Sequence, residues 1–434
     1  MTDYKITKIK SRWILDSRGN PTVESDVFAG KVYARAAVPS GASTGIMEAL
    51  ELRDGGSAFL GKHVTNAVSK VNTIISNKLQ GFDVREQTNI DEEMIAIDGT
   101  ENKSNLGANA ILSVSLAVSK LAALLSEKPL YQYLYELAYG KSREDFLLPI
   151  PSCNIINGGE HAGNDLAIQE FMVLPIGADS FSNAIQQVAE VYQNLKKLLK
   201  QNYGPSAINV GDEGGFAPNL STTAEAVDII IEAIDAAGFL MGTDFVLGMD
   251  AAASEFYEDG IYNIDGKKLT NEELIEYYLD LLHEYPFKSI EDPFDEKDFR
   301  SFSKLTAKVD RSIQIVDDDL TVTNIKILKK AIDEKAGNAL LLKVNQIGSL
   351  TEAIKAAKMA FNSRFNVMVS HRSGETEDSF IADLATGLCT GQMKSGATCR
   401  SDRTCKFNQL LRIEEALGSK AKYPKSFDSW KNYV

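Results

Sequence analysis

Over the first 40 residues apolar and polar positions alternate, with turn residues at Arg18-Gly19-Asn20-Pro21 and Ala29-Gly30. A period of two broken by such turns predicts a three-stranded antiparallel meander with one buried face. The pattern then shifts to a helical period over about 63–79, 86–97 and 105–137. Strands followed by helices predict a smaller α+β unit. The stretch GKSREDFLLPIPS (140–152) is polar, then proline-bearing, and interrupts the periodicity. We place a domain boundary there, dividing the chain into an N-terminal α+β domain at 1–140 and a C-terminal domain at 141–434.

Beyond the boundary the rhythm changes. Short apolar runs end in a polar residue, and an amphipathic pattern follows each. FVLGMD ends at Asp250, FKSIED carries Glu291, IQIVDDD carries Asp318, ALLLKVN carries Lys343, and NVMVSHR carries His371 and Arg372. QMKSGA is less strand-like and carries Lys394. From Glu291 to Lys394 these residues stand 27, 25, 28 and 23 positions apart, while Asp250 and Glu291 are separated by 41. Spacings near 25–28 suit βα units, with helices expected at 298–309, 323–336, 350–362 and 376–388. Such units over about 280 residues predict a C-terminal (β/α)8-type barrel, and an α/β class for the whole chain. In these barrels the active site lies at the C-terminal ends of the strands, which is where the charged residues fall.

Composition narrows the function. A formal charge of −14, from 46 basic and 60 acidic residues, opposes general nucleic-acid or anionic-membrane binding. It leaves room for an anionic substrate at a local cluster of cations or metal. The four cysteines, Cys153, Cys389, Cys399 and Cys405, have no CxxC spacing, and reduced thiols are expected. The N-terminal MTDYKITKIK lacks the apolar core of a secretory leader, so a cytoplasmic location is expected and the sequons at Asn102 and Asn219 are not expected to be used. The longest apolar run, 110–125, spans 16 residues, includes Lys120, and reads as a buried helix too short for a membrane span.

Three carboxylates from successive strand ends, Asp250, Glu291 and Asp318, would repel one another at one mouth unless a cation sat between them. Oxygen-only ligands favour Mg²⁺, Mn²⁺ or Ca²⁺ over zinc; each acid alone equally suits a helix cap. Lys343 follows three leucines in LLLKVNQIG (340–348). Burial and cationic neighbours favour the neutral amine, which is a base. SHRSGETED (370–378) sets Ser370, His371, Arg372 and Ser373 before a helix start, an arrangement suited to an anion grip. GDEGGFAPN (211–219) holds Asp212 and Glu213 in a glycine-rich turn, and QEFMVLP (169–175) puts Glu170 on a strand. Either setting suits an acid of raised pKa, or a plain turn and a buried hydrogen bond. NGGEHAGN (157–164) is a loop holding His161, and PSGASTG (39–45) is small and flexible, reading as a lid or as a linker. No GxxxxGK[ST], GxGxxG or HExxH is present, which removes support for those nucleotide loops and for zincin chemistry.

Taken together, DSRGNPTVE (16–24), PSGASTG, NGGEHAGN, QEFM, GDEGGFAPN, SIEDPF (289–294), DDLTVTN (318–324), LLLKVNQIG, SHRSGETED and NQLLRIEE (408–415) closely resemble the enolase family, in family order over nearly the whole chain. The resemblance implies the enolase variant of the barrel and Mg²⁺-dependent, reversible dehydration of 2-phospho-D-glycerate to phosphoenolpyruvate. By that likeness Asp250, Glu291 and Asp318 are expected to hold the first Mg²⁺ and Ser43 a second. Lys343 is expected to remove the C2 proton, and Glu213, with Glu170 beside it, to assist loss of hydroxide from C3. Lys394 is expected on the substrate carboxylate, Ser370, His371, Arg372 and Ser373 on the phosphate side, and His161 to close onto substrate, with Glu291 and Asp318 also near it. A homodimer is expected, with Arg12, Glu24 and Arg412 as interface ion-pair members. Met47 stands where relatives often carry a polar or basic residue. The chain ends in Tyr433-Val434, so plasminogen binding through a C-terminal lysine is not expected. Two other readings remain at this point: a superfamily racemase or cycloisomerase acting on a non-phosphorylated carboxylate, and a non-catalytic binding protein on the same scaffold.

Overall fold

A computed structural model describes residues 4–42, 45–159 and 162–434. The expected meander is present as β1 (Lys8–Leu15), β2 (Pro21–Ala29) and β3 (Val32–Ala37), antiparallel in that order. Its buried face packs on the helix Ala108–Leu125, where Ser25 and Ser113 share a hydrogen bond of 2.7 Å. That helix extends the apolar run to 18 residues, longer than the sequence run alone suggested and near membrane-spanning length; 83% of it is buried inside the fold.

Eight strands of the described residues close a barrel. In order they are β4 (Ile150–Asn157), β5 (Glu170–Leu174), β6 (Val246–Asp250), β7 (Phe287–Glu291), β8 (Gln314–Asp317), β9 (Ala339–Leu342), β10 (Asn366–Ser370) and β11 (Gln392–Lys394). From β6 onward neighbours are parallel, and β11 closes in parallel on β4. The second strand departs from a uniform βα repeat, because β5 runs antiparallel to both β4 and β6. Two helices, Phe181–Tyr203 and Thr223–Ala236, then intervene before β6. The 41-residue gap after Asp250 holds a small antiparallel sheet of Tyr257–Glu258, Ile261–Ile264 and Lys267–Leu269 ahead of its helix.

Strand alternation decides which residues enter the barrel. Val316, Ala339, Leu341 and Met368 form one apolar layer inside it, and Ile150, Met172, Leu174 and Val246 form another. Leu340 and Leu342 face outward into the main core between barrel and helices. Leu341 points in and Leu342 out, so Lys343 points in, above the apolar layer. The same parity carries Val316 to Asp318, Met368 to Ser370, and Met172 back to Glu170. Because β5 is reversed, its first residue reaches the mouth where its neighbours offer their last.

The N-terminal unit ties onto the barrel beside this mouth. Lys120 donates to both oxygens of Asp378 at 2.6 and 2.7 Å, and Ala37 and Phe380 N–H groups donate at 3.0 Å. Burial pushes the Asp378 carboxyl up, but Lys120 and the two N–H donors outweigh it and hold it below the usual range. Such a group stabilises the fold above its unfolded pKa of about 3.9 and loses that contribution as pH falls through its folded value. Lys120 is one-fifth exposed, so Lys120→Met is expected to cost about 2 kcal/mol at pH 7. The difference from wild type should shrink below about pH 4. Urea unfolding at pH 7 and pH 3.5 checks both.

Candidate active site

The acids and lysines of the strand ends meet at the barrel mouth in two groups. On one side Lys394 Nζ donates to Asp250 Oδ2 at 2.9 Å and to Glu291 Oε1 and Oε2 at 2.8 and 2.9 Å, and pairs with Glu170 Oε2 at 3.1 Å. On the other, Lys343 Nζ is bonded to Asp318 Oδ2. Asp318 Oδ1 accepts from Gln346 Nε2 at 2.8 Å. Asp292, Asp318 and Asp319 bring ligand oxygens within 4.8 Å of one another. Asp292 is held there by the backbone N–H groups of Asp318 and Asp319, at 3.0 and 2.9 Å.

Glu170, Glu213 and His371 form a second close cluster, with ligand atoms within 4.8 Å of one another. Glu213 is placed by a tight glycine loop. Its carbonyl accepts from Ala397 N at 3.0 Å, and a Cβ on Gly396 would lie 2.3 Å from that carbonyl oxygen. Gly214 has φ +86° and passes Cys399 so closely that a Cβ would sit 2.8 Å from its carbonyl. The Glu213 side chain accepts from Asn154 Nδ2 at 3.1 Å and faces His371 Nε2 at 3.5 Å. Asp212 contributes its backbone carbonyl, to Arg403, at 3.0 Å. His371 bonds through Nδ1 to the buried Arg403 guanidinium. Burial, with Arg403 and the lysines against Glu213, drives the imidazole well below its usual pKa and keeps it neutral.

The Ser370–Ser373 segment caps the mouth. Arg372 forms a two-pronged pair with Glu48, 3.0 Å on each arm, and reaches Asn345 Oδ1 at 3.2 Å. Ser370 Oγ donates to the His371 carbonyl at 2.9 Å, and Ser373 Oγ accepts from Arg18 at 3.4 Å. Ser43 and His161 lie outside the described residues. A larger groove of about 660 Å³ runs between Ile14–Ser17 on one side and Glu375–Ser379 with Arg400–Asp402 on the other, and none of the converging acids and lysines lines it.

Sequence reasoning did not assign Asp292, Asp319, Glu48, Gln346 or Arg403. The acidic runs Glu291-Asp292 and Asp317-Asp318-Asp319 were the available signal for the first two. The other three act through contacts between segments far apart in the chain.

The chain also matches known family models over most of its length. Residues 6–134 match the model described as "Enolase, N-terminal domain", and residues 145–430 match "Enolase, C-terminal TIM barrel domain". The chain belongs to the enolase family. An enolase of Methanocaldococcus jannaschii is 55% identical over 416 residues, covering 96% of this chain and 96% of its own. One of Solanum lycopersicum is 55% identical over 434 residues, covering 96% and 97%. Membership makes this chain a lyase, a phosphopyruvate hydratase.

The residues of this enolase mouth suit a divalent cation. Glu170, Glu213, Asp250, Glu291, Asp292 and Asp318 are all buried, Asp319 half-buried, against the cations Lys343, Lys394 and Arg372, the last paired with Glu48. Burial and mutual repulsion push the carboxyls of Glu170, Glu291 and Asp292 well above their usual range, and that of Asp319 up to about 8. Glu170 Oε2 lies beside Lys394 but receives no aligned hydrogen bond. An oxygen-only cluster with such a surplus of negative charge fits a hard cation such as Mg²⁺.

Proposed function

We propose that this chain dehydrates 2-phospho-D-glycerate reversibly to phosphoenolpyruvate with two Mg²⁺ ions per site. The observation that carries the reading is that an inward lysine, Lys343, and Glu213 line the same carboxylate-rich mouth. Asp250, Glu291 and Asp318 would hold one Mg²⁺ and Ser43 would join a second. Bound Mg²⁺ supplies positive charge to the substrate carboxylate, offsetting the charge that grows there when the C2 proton leaves.

The chain's own groups do the rest. Lys343 takes the C2 proton. Burial favours its neutral form, while Asp318 outweighs it and raises its pKa above the usual lysine value. A cation held by Asp318 would offset that stabilisation, leaving burial, Arg372 and Lys394 to favour the neutral amine against Glu291. Lys394 holds the substrate carboxylate. Arg372, Ser373, Ser370 and His371 take the phosphate side, with Arg372 exchanging Glu48 for the incoming anion, and His161 closes from its loop. Glu213, with Glu170 beside it, donates the proton that lets hydroxide leave C3.

The domain division at 140/141, a homodimer and a cytoplasmic location belong to this proposal. The four cysteines are free, in keeping with a reducing compartment. Arg12 and Glu24 pair at 2.5 Å within one chain, and a dimer would bring Arg412 of a second copy to that ion-pair network. A racemase of non-phosphorylated acids would have no use for the Arg372 and Ser373 pair at the mouth, and a non-catalytic role would not require Lys343 and Glu213 together. Following the ultraviolet absorbance of phosphoenolpyruvate tests the reading: turnover is expected with Mg²⁺ and is expected to stop with EDTA. A protein inert in Mg²⁺, or active in excess EDTA, overturns it.

A further inference from the structure

Gln346 lies three residues past Lys343, is fully buried, and reaches the mouth through a side-chain hydrogen bond to Asp318. Its amide has two ends with different partners. Nε2 donates to Asp318 Oδ1 at 2.8 Å, and Oε1 accepts from Thr323 Oγ1 at 3.0 Å. The reverse orientation would set two oxygens against each other at Asp318, so the network dictates this one. Thr323 Oγ1 in turn accepts the backbone N–H of Lys343 at 3.0 Å. Lys343 Nζ returns to Asp318 Oδ2. The result is a closed ring: Asp318, Gln346, Thr323, the Lys343 backbone and the Lys343 ammonium.

Three further features hold the ring in place. The Gln346 carbonyl accepts from Ala49 N at 2.7 Å, tying it to the N-terminal unit. Gly348 at φ +88° ends the short turn, and a Cβ there would press on Ala108 and Lys103 at 3.0 Å. Val322 and Thr323 stand in the left-handed region at φ +45° and +57°. Two consecutive β-branched residues there are strained outliers. Their strain has a use, since it turns the Thr323 hydroxyl toward Lys343 and Gln346.

We propose that Gln346 is a positioning residue that fixes the base Lys343 and the metal-binding carboxylate Asp318 relative to each other. One amide holds one oxygen of Asp318, leaving the other for the mouth, and through Thr323 it sets the backbone from which Lys343 extends. This rests on the roles proposed above for Lys343 and Asp318. Partners that orient a ligating carboxylate change metal affinity or activity about 10–100-fold when lost.

Gln346→Met keeps the volume and removes both hydrogen bonds. In the full-length protein, kcat is expected to fall about 10–100-fold, with KM for 2-phosphoglycerate within about twofold, because both ends of the Gln346 amide are taken by Asp318 and Thr323. Without substrate, the calorimetric Kd for Mg²⁺ is expected to weaken by about tenfold, and exchange of the C2 proton to slow in step with kcat. A folded Gln346→Met protein with wild-type Mg²⁺ affinity and exchange overturns the proposal. If that variant does not fold, Thr323→Val and Thr323→Ser decide: loss of the hydroxyl should slow exchange and its return should restore it, and equal rates overturn the idea. A wild-type protein without EDTA-sensitive turnover would sink the functional reading instead; an active wild type with an unaltered Gln346→Met sinks only this one.

Discussion

Lys343→Ala is expected to stop exchange of the C2 proton of 2-phosphoglycerate with solvent and to lower turnover by about 10³-fold or more, within the usual range for loss of a positioned general base. The reason is geometric. Strand parity places Lys343 inside the barrel above Leu341, and the ring through Thr323 and Gln346 fixes its backbone. No other amine among the described residues is placed to replace it, since Lys394 is bonded to Asp250 and Glu291 and paired with Glu170. The Mg²⁺ affinity of the variant should not weaken, because removing the ammonium frees an oxygen of Asp318. Proton NMR in deuterated water reads the exchange and calorimetry reads the metal. Exchange at the wild-type rate would assign the base to another residue.

The placement of Lys343 is legible in the amino-acid sequence because two local rules agree. An apolar run buried on both faces marks an interior parallel strand, and a spacing of 25–28 residues sets each strand end at the same level. The predicted helices follow: 298–309 is found as Phe299–Lys308, and 350–362 as Leu350–Asn362. QMK also proves to be a strand, Gln392–Lys394, although three residues are too few for a periodic signal. Direction and partnership are what the sequence pattern does not carry. Nothing local in QEFMVLP says that β5 runs backward, yet that reversal is why Glu170 reaches the mouth from a strand's start. Asp292 is likewise one residue past a strand end, turned inward by φ +41° to accept the N–H groups of the next strand's loop. The partnership of Arg372 with Glu48 spans 324 positions and leaves no trace in either segment's pattern.

Glu213→Gln is expected to separate the two halves of the reaction. Dehydration should fall by about 10²–10⁴-fold, the contribution usual for a positioned general acid, while exchange of the C2 proton persists at a much larger fraction of its wild-type rate. The glycine loop fixes the Glu213 backbone through Ala397 N independently of the side chain, and Gln keeps an oxygen for Asn154 Nδ2. The substitution therefore removes the transferable proton with little change in shape. Whenever Glu213 is ionised, before it takes up that proton, the neutral amide also lacks its negative charge beside His371 and Glu170, both buried. Glu170 is pushed up by burial and then by Glu213, so its carboxyl should drop when that neighbour is neutral. A shifted pH dependence of the residual dehydration is therefore expected, with the limb governed by Glu170 moving to lower pH. Equal losses of exchange and dehydration would mean that Glu213 serves proton removal at C2 as well as departure at C3. That outcome would break the division of labour assigned to Lys343 and Glu213.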